Sequence, residues 1–279
     1  MGYKSDPPSP AFATLTAGHP RLCPLIMAGD PDLETTRALL TRCVDLGVRM
    51  VELCVPFRNA FTDGDTLRRA HKRALKNEVS PAETVFAVLD MVRAFHKQID
   101  IVLLVDSSHT LRPVGMDLLL GRAKEAGVSA VLPHGLPPRL VEKFNTAARR
   151  AGMLVVGTIY ANATPEVRQK VLHQTSAFLY LVSTYGRSGG AVDPCDLTPR
   201  IEMLRTQTDV PIALGFGLRS PQDVARAFAA GCDIAIVGSA ISTEVDAALE
   251  AGECVVDRAG SFIAALQAAA PPTRQESTA

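Results

Sequence analysis

Two carboxylates and three glycine-bearing loops are the residues whose types and spacing suit chemistry. Glu52 lies in VELCVPF, where every other side chain is apolar. A carboxylate buried among apolar groups is costly unless it is paired or protonated. It is therefore either a structural acid paired with a base from a neighbouring segment, or a general acid–base with a raised pKa. The apolar runs of this chain offer almost no Lys or Arg for the first role. Asp63 follows in Thr62-Asp63-Gly64. That triplet also suits a plain turn, but its nearness to Glu52 makes it a candidate second carboxylate. The glycine loops are Gly215–Gly217, Val237–Ala240 before a helix start, and Thr184–Gly190 with one cation, Arg187. Each glycine alone serves a tight turn as readily. Together the three loops point to a phosphate, because glycine admits an anion to the backbone N–H groups and a helix N-terminus favours negative charge.

The elements that must position these groups recur along the chain. Apolar runs at Cys23–Ala28, Met50–Pro56, Ile101–Asp106, Ala130–Pro133, Leu154–Ile159, Phe178–Ser183, Ile212–Gly215 and Ile234–Val237 read as strands buried on both faces. Helical patterns lie between them. Asp32–Leu46 keeps its apolar residues on one face and ends at Gly47, and Pro138–Ala151 and Pro221–Ala230 open on proline and stop before glycine. The long interval between the second and third runs holds two helices, Thr66–Leu75 and Pro81–Phe95. Eight strand–helix units predict a (β/α)8 barrel, a TIM barrel, with an extra helix between strands 2 and 3. An open doubly wound sheet is the alternative, but no G-x-G-x-x-G follows the first run. In such a barrel the chemistry sits at the C-terminal ends of the strands, where both carboxylates and all three loops fall. We expect a flexible N-terminal segment over 1–20, one barrel domain over 21–270 and a disordered tail over 271–279.

Composition sets outer limits. The 279 residues are 47% hydrophobic and 21% charged, which excludes wholesale disorder. Lys+Arg and Asp+Glu are both 29, so bulk charge draws the chain to neither nucleic acid nor an anionic membrane. No apolar run approaches the length needed to span a bilayer. Six scattered cysteines, without a C-x-x-C pair, read as reduced thiols of a cytoplasmic protein. No cluster of His, Cys and carboxylates has metal-ligand spacing.

These segments carry a resemblance. LIMAGDPDLETT, VELCVPF with TDGD, FLYLVSTYGRSGG, LGFGLRSPQDV and AIVGSAI, collinear from Pro24 to about Leu266, resemble the tryptophan synthase α family. The combination is specific although no single segment is. The resemblance implies a lyase that cleaves indole-3-glycerol phosphate to indole and glyceraldehyde 3-phosphate by a retro-aldol reaction. It implies that Glu52 is the acid–base that protonates indole C3 and that Asp63 faces the indole N–H. It also implies that Tyr180 joins the catalytic pocket, that Phe216 lines it, and that Gly189, Gly217, Gly238 and Ser239 hold the phosphate. No metal or organic cofactor is implied, and the partner implied is a tryptophan synthase β subunit.

Departures from the family pattern modify these expectations. The family's Ser-Asp-Pro after Pro56-Phe57, in a loop that helps contact the β subunit, is Arg58-Asn59-Ala60 here. We therefore expect β pairing to be weak or absent. The aromatic that usually ends strand 3 is replaced at Val105-Asp106-Ser107, and strand 4 ends Pro133-His134-Gly135 without its usual Asp. The arginine after the strand 6 serine is Thr184, with Arg187 three residues on, and the strand 1 threonine is Met27. Asp106 and His134 are thus expected to meet at neighbouring strand ends and make the substrate end of the pocket polar; pointing into solvent is the alternative. Retention of Glu52 and Asp63 favours a working lyase on this substrate or a close analogue. The alternatives are a lyase for another phosphorylated substrate in specialised metabolism, and a non-catalytic regulatory partner.

Overall fold

The computed structural model describes residues 20–76, 80–182, 197–215 and 217–271. The strands are β1 (Arg21–Met27), β2 (Met50–Cys54), β3 (Asp100–Asp106), β4 (Ala130–His134), β5 (Leu154–Val155), β6 (Gly157–Tyr160), β7 (Leu179–Val182), β8 (Ile212–Leu214) and β9 (Ile234–Val237). All pair in parallel, in the order β5-β4-β3-β2-β1-β9-β8-β7-β6. The two ends of that list are one stretch of chain. β5 pairs with β4 and β6 with β7. Between them the Val156 N–H donates to Val131 O, and the next N–H, of Gly157, donates to Phe178 O. The fifth apolar run is therefore a single barrel position that hands its hydrogen bonds from one neighbour to the other, and the ring closes as a TIM barrel. The sequence expectation of one uninterrupted strand at Leu154–Ile159 is corrected in this detail.

The helices are α1 (Leu33–Asp45), α2 (Asp65–Ala74), α3 (Pro81–Val92), α4 (Arg112–Val114), α5 (Met116–Glu125), α6 (Pro138–Ala151), α7 (Pro165–Gln174), α8 (Thr198–Arg205), α9 (Pro221–Ala229), α10 (Ser239–Ala251) and α11 (Val255–Ala268). Their starts are legible in local chemistry. Asp32 accepts from the Thr35 N–H to cap α1, Ser80 caps α3 ahead of Pro81, and Ser220 caps α9 ahead of Pro221. α6 ends on left-handed Gly152. The extra helix between β2 and β3 is present as α2 with α3. The segments 1–19 and 272–279, expected to be flexible, lie outside the described residues.

Alternation along each strand sorts two apolar layers. Val51, Leu53, Ile101, Leu103, Val105 and Val131 pack outward beneath the helices. Cys23, Met50, Val102, Ala130, Phe178, Ala213 and Ile236 fill the lumen, with Leu25, Leu104 and Tyr180 packed on them. Residues two apart share a face, so Glu52, Asp106, His134, Tyr180 and Gly238 also belong to the lumen side.

Candidate active site

Glu52 sits in the middle of β2, opposite Leu25 on β1 and Val102 on β3. Its residue exposure is 0%, and neither Oε1 nor Oε2 has a hydrogen-bond partner among the described residues. The paired structural acid left open by the sequence is not what these residues build. Burial pushes the Glu52 carboxyl up to about 8. The Tyr180 phenol is pushed well up, by burial first and then by the charges of Glu52, Cys23 and Asp63. The Cys23 thiol is raised by burial and by Glu52. Glu52, Tyr180 and Cys23 thus share one electrostatic neighbourhood in the lumen.

Asp63 stands above β2, in the turn that leads into α2, with its N–H donating to Ala60 O. Its Oδ2 lies 3.1 Å from His71 Nε2. His71 is on α2, 3% exposed, and its Nδ1 accepts from the Phe57 N–H at 3.1 Å. A ring nitrogen that accepts a backbone N–H carries no proton, so the proton is on Nε2 and is donated to Asp63. Sequence reasoning missed His71. It lies eight residues beyond Asp63 on a strongly basic helix and has no signal of its own except that it falls on the buried face of α2, with Leu67 and Ala70.

The α2 helix is clamped in turn. Arg73 donates from Nε and Nη2 to both oxygens of Asp30, at 2.7 and 2.8 Å, in the loop after β1. Asp246 on α10 lies against both Arg73 and Arg69. Asp30 and Asp246 are buried, so each needs its cation.

The three candidate phosphate positions that are described lie where β8 and β9 end. Gly217 has φ +81°, a conformation that side chains rarely adopt. Gly238 is the residue before α10, whose N-terminus has no side-chain cap, and Ser239 is its first residue. The leading N–H groups of α10 are therefore not taken by a capping side chain. Beside them opens a cavity of about 410 Å³ lined by Leu67, Arg219, Ser239 and Thr243, and also by Asp65 and Glu244, which are paired with Arg68 and Arg258. Arg219 is a cation that the sequence reading passed over. A larger cavity, about 550 Å³, lies at the other end of the barrel around Pro20, Cys232 and Asp233. Strands begin there, so it has no part in the site. Gly215 is explained differently from its neighbours. A Cβ placed on it would overlap the Tyr180 hydroxyl, so the glycine makes room for the phenol. Gly189, Phe216, Thr184 and Arg187 lie outside the described residues.

Asp106 and His134 are register partners at the ends of β3 and β4, yet they do not bond each other. Asp106 Oδ1 accepts from the Ser108 and His109 N–H groups and lies 2.9 Å from His109 Nδ1. It thereby caps a π-helical turn over Ser107–Leu111. His134 Nε2 lies 3.3 Å from Thr62 Oγ1. The partner of Asp106 is instead His109, which the sequence reading did not single out. Neither side chain simply points into solvent, since Asp106 is 7% exposed and His134 is half-buried.

Among the described residues no three His, Cys, Asp or Glu side chains are grouped to hold a metal ion. No helix among them is long and apolar enough to cross a membrane. Cys23, Cys43, Cys54 and Cys232 are buried free thiols, whereas Cys254 is exposed.

Comparison with known proteins bears on the family and the fold. The family model for the tryptophan synthase alpha chain matches residues 12–271. The tryptophan synthase alpha chain of Caulobacter vibrioides is 32% identical over 237 residues, 84% of each chain. That of Geotalea uraniireducens is 32% identical over 262 residues, 92% of this chain and 95% of the other. The crystal structure of tryptophan synthase subunit alpha from Legionella pneumophila superposes with a TM-score of 0.79 at 26% identity, over 90% of this chain and 92% of that one. With the family model covering nearly the whole barrel and relatives similar along most of its length, the chain belongs to the tryptophan synthase alpha chain family.

Proposed function

We propose that this chain is a carbon–carbon lyase that cleaves indole-3-glycerol phosphate, or a close analogue, to indole and glyceraldehyde 3-phosphate. The observation that carries the reading is Glu52: a lumen carboxyl with both oxygens unbonded among the described residues and its pKa raised to about 8. Such a group is protonated near neutrality and able to give its proton to carbon. Proton transfer to C3 of the indole leaves positive charge on the ring nitrogen. Asp63, held by His71, is the carboxylate that faces that charge. The glycerol hydroxyl next to the ring then loses its proton to the newly ionised Glu52. Its oxygen forms the aldehyde carbonyl, the C–C bond breaks, and the electron pair returns to the ring. Glu52 ends protonated as it began. Tyr180 packs beside it, and the phosphate is held where Gly217, Gly238 and Ser239 converge, with Gly189 assigned there by resemblance. Phe216 is assigned to the pocket wall on the same ground. No cofactor enters the scheme. Pairing with a β subunit is weak or absent.

The test is turnover of indole-3-glycerol phosphate by the purified chain, alone and with a tryptophan synthase β subunit. The reading expects indole release by the chain alone, lost in Glu52→Gln. Binding of the substrate without turnover in either condition would instead support a regulatory, non-catalytic role.

A further inference from the structure

The lumen wall changes character as it rises from Glu52. The register sets Glu52 beside Val102, and Val102 beside Ala130. Asp106 and His134 therefore stand four residues nearer the mouth, about 13 Å further along the strands. Between the two levels the lumen-facing residues are Cys54, Leu104 and Leu132, all apolar. A ring lying upward from Glu52 would meet an apolar wall and then a polar rim.

That rim is built around one phenyl ring. Phe57 lies 4.3 Å from His71, 6.1 Å from His109 and 5.9 Å from His134, centroid to centroid, with the His109 ring stacked at 19°. The three imidazoles are not equivalent. His71 commits both nitrogens, to the Phe57 N–H and to Asp63. His109 commits only Nδ1, to Asp106. That carboxylate oxygen also takes two backbone N–H groups. It is an acceptor for all three, so Nδ1 carries a proton and Nε2 is left uncommitted. His134 commits only Nε2, to the Thr62 hydroxyl. His134 Nδ1 is left uncommitted, an N–H where that hydroxyl donates and an acceptor where it receives. Neither His109 Nε2 nor His134 Nδ1 has a partner among the described residues. One rim thus presents two uncommitted imidazole nitrogens around Phe57, beside two carboxylates, Asp63 and Asp106, that repel an anion.

The geometry points to a substrate whose aromatic ring carries a hydroxyl group at the end remote from its glycerol phosphate chain, received by His109 and His134. A hydroxyl is donor and acceptor at once, so it pairs with these nitrogens whichever of them carries a proton; a carboxylate is disfavoured by the neighbouring acids, and a bare benzo edge leaves both nitrogens unmatched. Asp106 is the positioning residue for His109. This inference rests on the lyase reading and goes beyond it by naming the substrate class.

The experiment is a comparison of kcat/KM for indole-3-glycerol phosphate and for its counterparts hydroxylated at each benzo position. It is run on the native chain, on Glu52→Gln and on His109→Phe with His134→Leu. One hydroxylated substrate should be preferred by about 10- to 100-fold over the plain one, the range of an unmatched polar contact in a partly open site. The double variant should bring that ratio near one. A native chain that cleaves the plain substrate as well as every hydroxylated one, with activity lost in Glu52→Gln, overturns the proposal and leaves the lyase reading standing. A preference that survives unchanged in the double variant overturns the assignment to these histidines. Should the double variant fail to fold, direct competition between the plain and preferred substrates on the native chain decides: no discrimination overturns the proposal. Cleavage of none of them removes the lyase reading and this inference together.

Discussion

A carboxyl that neither oxygen can share stays protonated near neutrality, and Glu52 carries the consequences in both activity and stability. Its folded value is about 8 against an ordinary 4.5. Between these two pH values the folded chain holds a proton that the unfolded chain has lost. Stability therefore falls as pH rises from about 4.5, and the loss is complete above about 8, on the order of 5 kcal/mol at most. Glu52→Gln removes that penalty together with the proton donor. The variant should lose about 10²–10⁴ in turnover. Its melting temperature should also gain on the native chain by on the order of 5–10 °C between about pH 6 and about pH 9. Native turnover should decline as pH rises through about 8, where the donor ionises. Near-native turnover in the folded variant would remove Glu52 from the mechanism. A second prediction concerns His71. His71→Phe keeps a ring against Phe57 but removes the donor to Asp63. It should lower kcat by about 10- to 100-fold with little change in KM, if Asp63 serves the transition state. His71→Gln, which keeps a donor, should recover part of the loss; kcat values that are equal in all three proteins would strip His71 of this role. Glu52 was legible in the sequence because burial follows from its apolar neighbours. His71 and His109 were not, because their roles depend on which residue faces them across a turn, and no local pattern encodes that.

At the level of elements, the same division between local and tertiary information holds. Apolar runs bounded by turn residues gave all eight barrel positions, and serine, aspartate or proline marked the starts of α1, α3 and α9. The hand-over at Val156 was invisible, since it depends on the differing partners of β5 and β6 and on no change of residue type. The π-helical turn after β3 was equally hidden: it exists because Asp106 folds back on Ser108 and His109. The clamp on α2 is likewise tertiary, and it positions Asp63 and His71 by fixing the helix that carries the histidine. Removing Arg73 would leave the buried Asp30 without its bidentate partner and Asp246 with Arg69 alone. Arg73→Ala should therefore cost about 3–5 kcal/mol, the range for breaking one side of a buried ion pair, read from the denaturant midpoint. It should also lower turnover more than Arg150→Ala, whose ion pair to Asp117 joins α6 to α5 and is exposed on both sides. A loss under about 1 kcal/mol, the scale of a surface pair, would show that α2 is held by packing alone.

At the scale of the whole molecule, the loop after β2 departs in charge from the pattern that the family resemblance implies. The family resemblance places Ser-Asp-Pro in that loop and gives the loop a share of the contact with a β subunit. Here Arg58, Asn59 and Ala60 replace it, and Arg58 is exposed at the surface. Asn59 takes φ +60° and Ala60 turns inward to 7% exposure, while Phe61 stands 73% exposed beside them. A partner surface complementary to an aspartate is positive, so it now meets a cation. Like charge at an interface costs several kcal/mol and slows encounter, and nothing in the overall balance of 29 basic and 29 acidic residues offsets it by long-range attraction. Association with the β subunit of a relative such as Caulobacter vibrioides should therefore be weaker than about 1 μM by calorimetry. Restoring the family charge with Arg58→Ser and Asn59→Asp together should tighten it by at least about tenfold, roughly 1.4 kcal/mol. The gain should shrink as salt is raised, because exposed charges are screened beyond about 10 Å at 0.1 M. Submicromolar binding by the native chain refutes the argument outright. A double variant that binds no better places the determinant elsewhere, with Phe61 the next side chain to exchange.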